Sequence, residues 1–125
     1  EADPMDHYVT FLAGIFRSIR FGAASAHGRA NLIRFNFFKE QGAFTRDAAT
    51  GTYRVVPERM QTAVNALSEQ ILHLQGDGDY AATAAFIERY GQMDDTLRAD
   101  LARIQQAGIP VDIVFVQGPE VLGLE

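Results

Sequence analysis

The sequence contains no cysteine and no tryptophan, and its three histidines lie far apart at His7, His27 and His73. Without cysteine there is no disulfide scaffold, no thiolate zinc finger and no cysteine nucleophile. H-E-x-x-H, which would set two imidazoles on one helical face for zinc, does not occur. Neither does a phosphate loop, a Nudix box or a G-x-S-x-G nucleophile elbow. No apolar run reaches the roughly 18 residues of a membrane span, so no membrane partner is expected. Nor is there the overall basic charge that nucleic-acid binding requires: the net charge is −5 and the pI about 5.1.

What remains is a 125-residue chain with 47% hydrophobic and 22% charged residues, the composition of one soluble globular domain over 1–125. The charge is uneven. Residues 7–42 carry Arg17, Arg20, Arg29, Arg34 and Lys39 against Glu40 alone, a local +4, whereas the chain from Ala43 onward sums to −6. Ten of the eleven basic residues are arginine, the side chain suited to bidentate anion contacts. The bias reads either as base composition of the source genome or as a basic wall facing an anion.

Hydrophobic periodicity predicts a mainly α chain. Pro4–Phe21 has Tyr8, Phe11, Leu12, Ile15, Phe16 and Ile19 at helical spacing, with Arg17 and Arg20 on the opposite side. Ala24–Gln41 predicts a second helix with two apolar stripes, Ala26, Ala30, Ile33 and Phe37 on one side, Leu32 and Phe35 on the other. Between the stripes run two polar lines: His27, Asn31 and Arg34, and Arg29, Asn36 and Glu40. Ala43–Val56, with its turn at Asp47–Gly51, predicts a β-hairpin. Pro57 starts a third helix with a seam of Met60, Val64, Leu67, Ile71 and Leu74, after which Gly76–Asp79 reads as a loop. Tyr80–Tyr90 and a helix from Asp94 or Asp95 to before Gly108 complete the set, with Val111–Val116 as a short C-terminal strand or extended tail. The expected architecture is about five helices in an irregular bundle with one hairpin.

The candidate chemistry lies on the second helix. His27, Asn31 and Arg34 offer an imidazole, an amide and a fixed positive charge on one face. The same three also read as a polar seam between helices. Asp77-Gly78-Asp79 starts like a calcium loop but lacks further oxygen ligands, so capping explains it better, and Glu69 with His73 is an ordinary i, i+4 surface pair.

Three runs carry a family resemblance: Phe16-Arg17-Ser18-Ile19-Arg20-Phe21-Gly22, Ala26-His27-Gly28-Arg29-Ala30-Asn31, and Phe35 through Phe44. Leu72–Asp79 and Ile109–Ile113 are further landmarks. In that order they resemble the last part of the dipeptidyl peptidase III family of zinc metallopeptidases. The bacterial branch is the most similar, and it is related to the peptidase-like region of plant Nudix-fused proteins. The resemblance implies the C-terminal segment of a larger catalytic lobe, whose partners are the upstream part of the same chain and a peptide substrate. It implies that zinc sits on an upstream H-E-x-x-G-H helix and a following glutamate, with no metal ligand in this segment. It further implies that His27 contacts an oxyanion or a substrate carbonyl, with Asn31, Arg34, Arg29 and Asn36 as substrate-binding candidates. The sequence departs from the family at Asn31 and Asn36, where arginines are usual. On this reading the parent chain is a dipeptidyl-peptidase-type enzyme and the segment alone is not. The chain starts at Glu1 rather than Met, which reads as a processed or excised piece, soluble and either cytoplasmic or periplasmic. Two other readings stay open: a non-enzymatic helical interaction module, and an accessory domain of a Nudix-type hydrolase.

Overall fold

The computed structural model describes residues 3–111 and 118–123. Its elements are α1 (Pro4–Gly22), α2 (Ala26–Glu40), β1 (Phe44–Arg46), β2 (Tyr53–Val55), α3 (Pro57–Asp77), α4 (Tyr80–Tyr90), α5 (Asp95–Gln106) and a single turn, α6 (Pro119–Leu122). The fold is mainly α with one antiparallel hairpin, as the periodicity indicates. Of the expected C-terminal strand, Val111–Val116, all but Val111 lies outside the described residues.

α1 and α2 form an antiparallel pair joined by only three residues. Asp3 caps α1 by accepting from the Met5 N–H, and Ser25 caps α2 by accepting from the Gly28 N–H while its hydroxyl donates to the Gly22 carbonyl. The helices nearly touch at this end. A Cβ on Gly28 would lie 1.9 Å from the Gly22 carbonyl oxygen, so the crossing admits only glycine.

α2 is the central helix, packed against α1, α3 and α4. Its buried residues are Gly28, Leu32, Phe35, Phe37 and Phe38. Of the two apolar stripes read from the sequence, that of Leu32 and Phe35 is buried. The other is only half realised, because Ala26 and Ala30 are exposed while Phe37 packs on Tyr90 and Phe86. Phe35 is the hub of the core, with ring centroids 5.4 Å from Phe16 and 4.9 Å from Phe44. Phe38, Ile15, Ile19, Met60 and Leu97 are the other large side chains buried as fully.

The hairpin pairs Phe44 with Val55 and Arg46 with Tyr53, and its inner side lies on the core. It is pinned to α5 by Asp100, buried on the α5 face that also carries Leu97 and Leu101. Both carboxylate oxygens accept from Arg46, at 2.8 Å each, and the Tyr53 hydroxyl donates to the same group. Arg103 reaches back to the Thr50 and Gly51 carbonyls. Gly51 is left-handed at φ 68°, which favours glycine, and a Cβ there would displace the Arg103 guanidinium that lies over it.

α3 runs longer than the sequence suggests. Gly76 and Asp77, expected in a loop, are its last turn, and the left-handed Gly78 ends it. A helix tolerates an exposed glycine at a cost of about 1 kcal/mol, which the rest of a 21-residue helix covers. The α3 seam is buried only in its first half: Met60 and Leu67 are enclosed, Ile71 is exposed.

Candidate functional site

The α1–α2 pairing determines which polar residues of α2 meet a surface. Phe11 stacks near Phe38 with centroids 6.0 Å apart, and two turns further along the pair Ser18 accepts a hydrogen bond from Asn31 Nδ2 at 2.8 Å. These contacts place Asn31, the middle of the line of His27, Asn31 and Arg34, against Ser18 of α1. On α1, Gly14, Arg17, Ser18 and Phe21 line an open groove of about 280 Å³. At Gly14 a Cβ would find nothing within 4 Å, so the groove is open there because residue 14 has no side chain.

Asn31 is the organiser. Its amide nitrogen donates to Ser18 Oγ and to the His27 carbonyl, 3.0 Å away, while its Oδ1 accepts from Arg34 Nη1 at 3.2 Å. It is half-buried, whereas His27 and Arg34 on either side of it are exposed. One turn of helix therefore presents an accessible imidazole, and one turn beyond Asn31 a guanidinium with a fixed base. Such a set donates hydrogen bonds and attracts negative charge.

The second polar line faces the other way. Asn36 Nδ2 donates to the Tyr90 and Gln92 carbonyls, both at 2.7 Å, and so ties α2 to the α4–α5 connection. Arg29 lies over Gly91 at the end of α4, its Nε 3.6 Å from where a Cβ on that glycine would sit. Glu40 accepts from Arg89 and from the Tyr90 hydroxyl. The five candidates thus divide: His27, Asn31 and Arg34 come together, Arg29 and Asn36 do not join them. The basic first third does not form one wall either. Lys39 is paired with Asp94 at 2.7 Å, and Arg20 donates to Gln105 and the Ile109 carbonyl.

Sequence reasoning missed Ser18 and the Asp100 cluster. Arg46 and Tyr53 hold the Asp100 carboxylate below the usual range, chiefly through the Arg46 hydrogen bonds. Burial, and then the bond to Asp100, pushes the Tyr53 hydroxyl well above its ordinary value. The signal was available in an aspartate on the apolar edge of α5 between Leu97 and Leu101. A second groove, about 390 Å³ and mainly apolar, lies between Ile71 and Leu74 of α3 and Tyr80 and Phe86 of α4, with Gln75, Asp79 and Thr83 also in its lining. Glu69 and His73 are 3.8 Å apart on the exposed side of α3.

Among the described residues no three His, Cys, Asp or Glu side chains gather as a metal centre requires. Among the same residues no helix is long and apolar enough to cross a membrane.

No family profile matches the chain. Solved structures do. Dipeptidyl peptidase III from Caldithrix abyssi superposes with a TM-score of 0.79 and 42% identity over 85% of this chain and 20% of that one. Dipeptidyl-peptidase III from Corallococcus sp. strain EGB gives a TM-score of 0.77 and 39% identity over 86% of this chain and 19% of that one. A curated plant protein, Nudix hydrolase 3 of Arabidopsis thaliana, is 40% identical over 106 residues, covering 85% of this chain and 14% of the relative. The chain therefore spans a fifth or less of the length of each of these proteins.

Fold and sequence together define a peptidase-related helical segment. More particularly, the chain is similar in sequence and in fold to a part of dipeptidyl peptidase III chains, and the plant Nudix relative fits the same resemblance.

Proposed function

We propose that this chain is a cleft-lining helical segment of a dipeptidyl peptidase III-like peptidase. In this reading it contacts the peptide, while the zinc ion and its ligands lie elsewhere in a longer chain. The observation that carries the reading is the line of His27, Asn31 and Arg34, with His27 and Arg34 exposed on either side of Asn31, in a segment 39–42% identical to two dipeptidyl peptidase III structures.

Each residue of the line has a distinct part. His27, exposed at the first turn of α2, donates a hydrogen bond to a peptide carbonyl oxygen where negative charge develops; one well-placed donor of that kind is worth about 2.7–4 kcal/mol. Asn31 positions rather than charges, because both ends of its amide are engaged. Arg34 supplies the cation that the family's arginine would supply at position 31, reaching a peptide carboxylate from one turn further on. Asn36 ties α2 to the α4–α5 connection, Arg29 lies beside Gly91, and both stay out of the contact set. The test is peptide turnover by the longer protein that carries this segment. Arg34→Ala is expected to raise KM by about tenfold, the effect of losing a charge-assisted hydrogen bond. An unchanged KM would contradict its part in the site.

A second reading has its own observation. The 40% identity to a plant Nudix hydrolase favours an accessory region of a Nudix-type enzyme. Upstream sequence separates the two: a glutamate-rich Nudix box favours the second, H-E-x-x-G-H with a following glutamate the first.

A further inference from the structure

Where α3 turns into α4 the molecule leaves apolar surface in water. The α3 seam buries Met60 and Leu67 in its first half, but Ile71, further along the same stripe, is 40% exposed. Ile71 and Leu74 form one wall of the groove of about 390 Å³, and Tyr80 and Phe86 of α4 form the other. Tyr80 is 90% exposed. α4 carries no charged residue from Tyr80 to Ile87, and its Ala81, Ala82, Ala84 and Ala85 are all exposed. A surface helix ordinarily turns charged residues to water, whereas one that is apolar all round is a covered helix.

The polar groups of the groove do not call for a polar ligand. Asp79 Oδ1 accepts from the Ala82 N–H, and the Thr83 hydroxyl donates to the Asp79 carbonyl, so both serve the first turn of α4. What the surface lacks is apolar cover. The alanines let another helix approach closely, since side-chain size at the contact sets the distance between helix axes. The surrounding charge is of one sign: residues 68–88 contain Glu69, Asp77, Asp79 and Glu88, with no lysine or arginine. That sign opposes a second copy of the same face and an anionic lipid surface, and it suits a partner bearing lysine or arginine. This chain covers 20% and 19% of the two dipeptidyl peptidase III chains it superposes on, so most of such a protein lies outside it.

We propose that the α3–α4 groove and the alanine face of α4 are the docking surface for a helix from the rest of the longer chain, apolar along one side and flanked by lysine or arginine. The inference rests on one part of the proposed function, that this chain is a segment of a longer one, and on none of the roles given to His27, Asn31 and Arg34.

The experiment is tyrosine nitration by tetranitromethane, on this chain and on the longer protein side by side. Tyr8, Tyr53 and Tyr90 donate hydrogen bonds to Gln61, Asp100 and Glu40, which leaves Tyr80 as the open ring. The Tyr80 rate is expected to be about tenfold lower or less in the longer protein, because reaction there needs the docked helix to open. Two substitutions at exposed positions probe the contact. Ala84→Glu puts a charge into it, and Asp77→Lys reverses the sign at its rim; both introduce good helix formers, and lysine suits the last turn of α3. Each is expected to leave the melting temperature of this chain unchanged and to raise the Tyr80 rate in the longer protein toward that of this chain. Equal Tyr80 rates in the two proteins, or a slow Tyr80 that either substitution fails to speed, would overturn the proposal. So would a concentration-dependent slowing in this chain alone, since a second copy is then the occupant. The outcome is separate from that of the proposed function. A silent His27→Ala in the longer protein leaves this surface standing, and equal Tyr80 rates leave His27 its part.

Discussion

Asn31 and Ser18 are joined across the α1–α2 interface by a 2.8 Å hydrogen bond, and through it the middle of the polar line of α2 is tied to α1. That bond makes a definite structural expectation. Asn31→Ala removes the partner of Ser18, the donor to the His27 carbonyl and the seat of Arg34 together. Each net hydrogen bond is worth about 1 kcal/mol, so a stability loss of about 1–2 kcal/mol is expected, with Arg34 becoming more mobile. Chemical denaturation gives the first quantity and side-chain relaxation of Arg34 the second. An Asn31→Ala protein of unchanged stability and unchanged Arg34 mobility would show that the bond organises nothing.

Asp100 is the other polar residue on which the fold depends. Its carboxylate is buried and takes two hydrogen bonds from Arg46 and one from Tyr53. Removing one partner of a buried pair costs about 3–5 kcal/mol, and because Arg46 retains some solvent contact the low end is expected for Asp100→Ala. Asp100→Asn, which keeps the shape, should cost less. Urea denaturation of the two variants ranks them; equal stability would mean that the charge contributes nothing.

The pH dependence follows from the same groups. Asp100, Asp94 and Asp47 all have folded-state pKa values below normal: Asp100 through Arg46, Asp94 through Lys39 and the Leu97 N–H, Asp47 through the Thr50 and Ala49 N–H groups. Their contribution is complete above the unfolded value of about 3.9 and is lost as pH falls through the lower folded values. Tyr53 and Tyr90 are raised, chiefly by burial. Their contribution is present below the unfolded value of about 10 and disappears as pH rises past it. Thermal melts should therefore show a plateau that falls off below about pH 4 and again above about pH 10. A melting temperature that keeps rising toward pH 3 would contradict the assignment of the aspartates.

Gly28 sits where two helices touch. A methyl group at this position would lie 1.9 Å from the Gly22 carbonyl oxygen and 3.0 Å from the Ala23 Cα, both backbone. No side-chain rotation relieves that, so Gly28→Ala must spread the α1–α2 turn. The expected cost is about 1–3 kcal/mol, as for other overpacked sites, with His27 displaced from its place at the start of α2. Gly14→Ala, by contrast, enters open space and should be neutral or stabilising by about 1 kcal/mol. The pair of melts is the check, and a stabilising Gly28→Ala would refute the close approach.

How much of this was legible in the sequence depends on the range of the interactions involved. Helix starts were legible because they are local: Pro4 and Pro57 open α1 and α3, and Asp79 and Asp94 cap α4 and α5 by accepting from residues three further on. The hairpin was legible through Asp47–Gly51 and the β-branched run after it. The true end of α3 was not, because Gly76 resembles a stop, whereas the helix runs on through Asp77 and ends at the left-handed Gly78. The wheel of α2 showed two polar lines but not which would meet α1. That choice was made by Ser18, thirteen residues away, and by the Tyr90 and Gln92 carbonyls, more than fifty away. Asp100 stood out of place on an apolar edge, yet its partners Arg46 and Tyr53 lie 54 and 47 residues distant. The family resemblance supplied what periodicity could not, a reason to read the His27 line as more than a polar seam.

The central claim, that this segment lends a hydrogen-bond donor to peptide hydrolysis, is tested most directly by the kcat of the longer protein carrying His27→Ala. If His27 meets a carbonyl oxygen only as charge develops on it, kcat falls by about 10²–10³-fold while KM changes little. A kcat within twofold of wild type, in a variant shown to be folded, would contradict the account.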